Sequence, residues 1–87
     1  MTRVEVYTTP MCSYCVAAKR QLNERRIPYP EFDVAADAAL RADIVQRSGR
    51  RTVPQIFIDG RSIGGFEELR DLDAAGELEG LRSAPRN

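Results

Sequence analysis

The chain has 87 residues, and its thirteen basic and thirteen acidic side chains cancel, so the basic excess that phosphate-backbone binding requires is missing and no nucleic-acid partner is expected. Histidine is absent, which removes Ser-His-Asp and Cys-His catalysis, HExxH zinc sites and Cys2His2 fingers by count alone. A chain of this length buries only about two-thirds of the surface it exposes unfolded, so residues 1–87 are expected to form one domain around one small core.

Val4-Glu5-Val6-Tyr7 is short, β-branched and aromatic, and Thr8-Thr9-Pro10 after it reads as a turn. A helix is expected from Tyr14 to Arg26, starting at or just after Cys12, with Val16, Ala17, Ala18 and Leu22 facing inward. Ile27-Pro28 ends it. Tyr29 to Val34 carries a second strand signal, with Phe32 and Val34 on one side and two prolines restricting pairing at its start. Asp37 is placed to cap a second helix over Ala38 to Ser48, and Gly49 to stop it. Gln55 to Ile58 and Arg61 to Ile63 flank an Asp59-Gly60 hairpin turn. Gly64-Gly65 then opens a last helix, with Phe66, Leu69 and Leu72 at three-residue spacing, ending near Gly76; Leu78 and Leu81 suggest one more short turn, and Ser83 to Asn87 a frayed tail. The order βαβαββα predicts an α/β three-layer sandwich with a right-handed parallel crossover and an added hairpin. No apolar run approaches the roughly 18–20 residues of a membrane span and the N-terminus lacks a secretory core, so no membrane association and a cytoplasmic location are expected.

Cys12 and Cys15 are the only cysteines. One chain therefore cannot complete a four-thiolate metal site, and a purely structural disulfide across so short a loop would constrain the unfolded chain little. Redox work, or half of a shared metal site, remains.

A C-x-x-C at a strand-to-helix junction, T-V-P before a strand and G-G before a closing helix stand in register along VEVYTTPMCSYC and SGRRTVPQIFIDGRSIGGFEEL. Over nearly the whole chain this pattern resembles the glutaredoxin family, in its short bacterial form, with C-x-Y-C in place of thioredoxin's tryptophan-containing motif. The resemblance implies a thioredoxin-like fold with a mixed four-stranded sheet flanked by helices. It also implies an enzyme that reduces protein disulfides and protein–glutathione mixed disulfides, glutathione being co-substrate and the disulfide-containing or glutathionylated protein the partner. A monomer is expected.

A thiolate is the attacking species in such chemistry, and no imidazole is available to make one. At the N-terminus of the first helix, unpaired backbone N–H groups and the helix dipole would point at Cys12 and favour its anionic form, making it the nucleophile. Cys15, one turn inward, is then the resolving thiol. By resemblance Pro54 is cis and lies against the cysteines, the Val53 backbone pairs with the glutathione peptide, and Thr52 joins them. Gly65, Phe66 and Glu67 would hold the γ-glutamyl end, with backbone N–H groups for the carboxylate and Glu67 or Glu68 for the amine. Tyr14 would flank the sulfur.

Three positions depart from the family pattern. Ser13 stands where many dithiol members have proline, and some members with serine there bind a [2Fe-2S] cluster between two subunits. An iron–sulfur carrier or sensor, with Cys12 as cluster ligand, is therefore the alternative reading. Thr9 replaces a lysine that commonly meets the glycine carboxylate of glutathione. Arg41 or Arg51 could supply that charge, and Arg41 is assigned because the family often has a basic residue there. Glu67 replaces the usual aspartate. A further alternative keeps the fold and changes the electron source, to a thioredoxin-reductase-like partner or another small thiol.

Overall fold

The computed structural model describes residues 3–81. The chain runs β1 (Val4–Thr8), α1 (Ser13–Glu24), β2 (Glu31–Asp33), α2 (Ala38–Ser48), β3 (Gln55–Ile58), β4 (Arg61–Gly64) and α3 (Phe66–Ala74), followed by a 3-10 turn at Glu79–Leu81. This is the βαβαββα order that the patterning predicts. The Ser83–Asn87 tail lies outside the described residues.

The strands form one mixed sheet in the order β2-β1-β3-β4. β1 is central, parallel to β2 with Val6 opposite Glu31, and antiparallel to β3 with Val6 opposite Ile56. β3 returns through Asp59-Gly60 to β4. Because strand side chains alternate between faces, β1 and β3 feed two cores. Val4, Val6 and Ile56 pack with Ala18, Leu22, Leu69 and Leu78 beneath α1 and α3, while Tyr7 and Phe57 pack with Val34 and Ile44 beneath α2. Helices thus cover both faces of the sheet, the three-layer arrangement expected.

Local chemistry sets the element ends. Asp37 accepts from the Leu40 N–H at 3.0 Å and caps α2, and Gly49 closes it in the left-handed conformation that lacks a penalty only for glycine. Two expectations are corrected. β2 is three residues long, rather than six, because Pro30 has no N–H to donate. At its other end the Asp33 carboxylate takes the Ala35 N–H at 2.8 Å and turns the chain away. Val16 is half exposed, and the inward face of α1 is Cys15, Ala18 and Leu22, three or four residues apart as a helix requires.

Leu22 is fully buried between the sheet and the two helices on that face. Leu22→Ala is expected to cost about 2–5 kcal/mol in urea unfolding, whereas Val16→Ala on the exposed side should stay within about 0.5 kcal/mol.

Candidate active site

β1 delivers the chain through Thr9, Pro10 and Met11 to the start of α1, and Met11 sits there fully exposed with φ 59°. Cys12 is the N-cap of α1. Its extended backbone lets the side chain fold over the first turn, where the Cys15 N–H donates to Cys12 Sγ at 3.1 Å. Serine, threonine or aspartate ordinarily does this with oxygen; here sulfur takes the orphan N–H, and the contact strengthens when the sulfur carries charge.

The two thiols differ. Cys12 is partly exposed, while Cys15 is 2% exposed beneath the helix. Burial, then the hydrogen bond with Cys12, pushes the Cys15 thiol from 9.0 up to about 12, against the opposing pull of the Thr9 backbone N–H and the Lys19 charge. Cys15 therefore holds its proton at neutral pH.

Behind the pair, Thr8 Oγ1 at 2.8 Å and Lys19 Nζ at 3.0 Å both donate to Glu31 Oε2. Although burial works the other way, these two bonds hold the Glu31 carboxyl below its ordinary range, and Glu31 in turn raises Lys19. The ammonium charge is thereby fixed one helical turn beyond Cys15.

On the other side, the Cys12 S–H donates to the Val53 carbonyl at 3.7 Å. The Val53–Pro54 bond is cis. Tyr14, Thr52, Val53, Pro54, Gly65, Phe66 and Glu67 line one open groove together with Arg50 and Glu68. The Tyr14 and Phe66 rings stand 6.2 Å apart across it, with Tyr14 largely exposed. At its far end α3 begins with Gly65 as N-cap, and the Gly65 N–H donates to Glu68 Oε1 at 2.7 Å. This bond first, with Arg50 assisting, holds the Glu68 carboxyl below its usual range. Glu67 is exposed in the first turn beside it. The groove thus combines the Thr52–Pro54 backbone and two aromatic rings along its length with amides and carboxylates at the α3 end; Cys12 reaches it through Val53 and itself lines, with Cys15, Thr8, Lys19 and Glu31, a separate depression on the other side.

Arg41 stands apart from this groove. It lines a second depression on α2 with Ala38, Ala42, Val45 and Arg51. By sequence Lys19 is set aside as too far along the helix to dominate the cysteines, and neither Arg50 nor the contact of Thr8 and Lys19 with Glu31 is named. The i, i+4 spacing of Cys15 and Lys19 on α1 is a signal that could have brought Lys19 in; Arg50, one of thirteen basic residues, carries no local signature.

Comparison with known proteins agrees with the motif pattern. The glutaredoxin family model matches residues 4–63. The chain is 46% identical to Glutaredoxin 3 of Escherichia coli K12, over 93% of this chain and 98% of that protein. The solution structure of a glutaredoxin from Brucella melitensis superposes with a TM-score of 0.82 at 39% identity, covering 100% of this chain and 96% of the other. The crystal structure of a buckwheat glutaredoxin–glutathione complex gives 0.84 at 25% identity, covering 94% and 83%.

The contrast between the thiols predicts selective alkylation. Iodoacetamide at about pH 8 should label Cys12 in the reduced, folded chain and spare Cys15 until the pH nears about 12 or the chain unfolds, as read by peptide mass spectrometry. Equal labelling of both at pH 8 would contradict the assignment.

Proposed function

The chain belongs to the glutaredoxin family and is a thiol–disulfide oxidoreductase, and from that premise we propose that glutathione is its reductant and that glutathionylated and disulfide-containing proteins are its substrates. The observation that carries this reading is the groove, which runs from the Cys12 side of Val53 to the first turn of α3. An extended peptide can pair with the Val53 backbone there as an added strand. Its thiol end then meets Cys12, its middle packs against Tyr14 and Phe66, and a terminal carboxylate meets the N–H groups that open α3. A buckwheat relative has been crystallised with glutathione bound, which supports the choice of tripeptide.

In the proposed cycle the Cys12 thiolate attacks the glutathione sulfur of a mixed disulfide. The old S–S bond breaks, the substrate protein departs as a thiolate that takes up a proton, and glutathione is left joined to Cys12. A second glutathione thiolate then attacks the bound glutathione sulfur, forming oxidised glutathione and freeing Cys12. Alternatively, Cys15 loses its proton and attacks Cys12 Sγ, releasing glutathione and closing the Cys12–Cys15 disulfide. Two further glutathiones reopen that disulfide. Three-residue spacing keeps Cys15 in reach of Cys12 for the second route.

The cycle also belongs in a compartment poised to keep glutathione reduced, which for this chain we take to be the cytoplasm. We assign residues 1–87 to this one unit, acting as a monomer.

The serine variants separate the two routes. In a glutathione- and glutathione-reductase-coupled assay, Cys12→Ser is expected to abolish reduction of a glutathionylated peptide, by at least about 10³-fold, because the nucleophile is gone. Cys15→Ser should retain that activity and lose reduction of protein disulfides that require two thiols. Reduction by thioredoxin reductase without glutathione would overturn the choice of reductant.

A further inference from the structure

Arg50 follows α2 and projects into the same groove. Its Nη1 lies 3.2 Å from Glu68 Oε1, the oxygen that also accepts the Gly65 N–H. The two side chains close over Gly64, where a Cβ would stand 2.6 Å from Glu68 Oε1 and 2.8 Å from Arg50 Nη1. Gly64 has φ +107°, so glycine there answers both the backbone conformation and the crowding.

A guanidinium and a carboxylate are thus fixed side by side at the α3 end of the groove, beside the exposed Glu67 and opposite the Cys12 end. Among the described residues Arg50 bonds to another side chain only through Nη1, which leaves the rest of its planar donor fork for a ligand. The pair is 46% and 41% exposed, so its mutual attraction is screened and a ligand bearing both charges can exchange into it. Glu68 stays ionised at neutral pH, since the Gly65 N–H and then Arg50 lower its proton affinity. The head group that matches a cation and an anion set next to each other is a zwitterion with an α-carboxylate and an α-ammonium on one carbon.

We propose that Arg50 is a substrate-binding residue that selects thiols ending in a free α-amino-acid head group, its guanidinium taking the α-carboxylate while the neighbouring glutamates take the ammonium. This deepens the glutathione reading and rests on it. Arg50 adds a side-chain contact to the amides of α3.

The test measures the second-order rate at which the reduced full-length chain attacks four mixed disulfides of one peptide. These carry glutathione, its analogue without the α-carboxylate (4-aminobutyryl-Cys-Gly), its analogue without the α-amine (glutaryl-Cys-Gly), and Cys-Gly. Arg50→Met is expected to slow the glutathione reaction roughly three- to ten-fold, to slow the deamino analogue as well, and to leave the decarboxylated analogue unchanged; Arg50→Lys should recover part of the loss. Equal slowing of glutathione and the decarboxylated analogue by Arg50→Met would overturn the proposal, because Arg50 would then only bolt Glu68 over Gly64. A wild type that attacks the glutathione and Cys-Gly disulfides at the same rate would overturn the glutathione reading itself.

Discussion

One contact organises the chemistry of this fold: the Cys15 amide donates to Cys12 Sγ at 3.1 Å, so a sulfur occupies the place where a helix ordinarily takes a capping oxygen. The chain has no histidine, and the donor that meets this sulfur is a backbone amide fixed when the helix forms. The same residue that supplies the amide carries the second thiol. Its side chain is buried beneath α1 within hydrogen-bond reach of Cys12, and there it keeps its proton. A single helical turn therefore gives two chemically identical groups different surroundings, one partly exposed and accepting an amide N–H, the other buried.

The fold serves that turn. Central β1 ends at the start of α1, so the C-terminal edge of the sheet fixes where Cys12 stands, and β3, paired to β1 with Tyr7 opposite Gln55, brings the preceding Thr52-Val53-Pro54 segment beside it. β4 and Gly64-Gly65 then carry α3 back across, so that Tyr14 and Phe66 face each other over the groove. The far side of the cysteine pair is an open depression that Cys12 and Cys15 line with Thr8, Lys19 and Glu31. There the Thr8–Lys19–Glu31 cluster joins β1, α1 and β2 through one carboxylate oxygen and sets a cation near the buried thiol, where it opposes the effect of desolvation. The cysteines thus lie between a groove suited to a peptide and a charged cluster that belongs to the protein itself.

Most of the architecture was legible in the sequence because the signals were local and mutually consistent. Alternation in β1 and β3, the Asp37 cap, the Gly49 stop and the Asp59-Gly60 turn each dictate structure within a few residues. Helical periodicity puts Leu22 and Leu69 in the core, but Cys15 rather than Val16 takes the first inward position of α1, because cysteine packs as a small hydrophobe. Thr52, Val53, Pro54, Gly65, Phe66 and Glu67 follow from the resemblance to the family rather than from local signals, and the structure brings them to one groove with Tyr14. What remained hidden depends on long-range distances. Arg50 meets Glu68 eighteen residues away, and Lys19 meets Glu31 across a helix and a strand. The bond by which Glu68 folds back onto the Gly65 N–H is likewise invisible in the sequence. Arg41 lies on α2 with Arg51, in a depression separate from the groove that Arg50 lines.

The central claim is that glutathione is carried on Cys12 and laid along Val53 toward the first turn of α3. The most direct measurement is the solution structure of the mixed disulfide formed by Cys15→Ser with oxidised glutathione. The account predicts a disulfide bond at Cys12, tripeptide contacts to Val53, Tyr14 and Phe66, and the γ-glutamyl head beside Gly65, Glu67 and Arg50. A tripeptide lying instead over Thr8, Lys19 and Glu31, or making no ordered contact beyond Cys12, would contradict it.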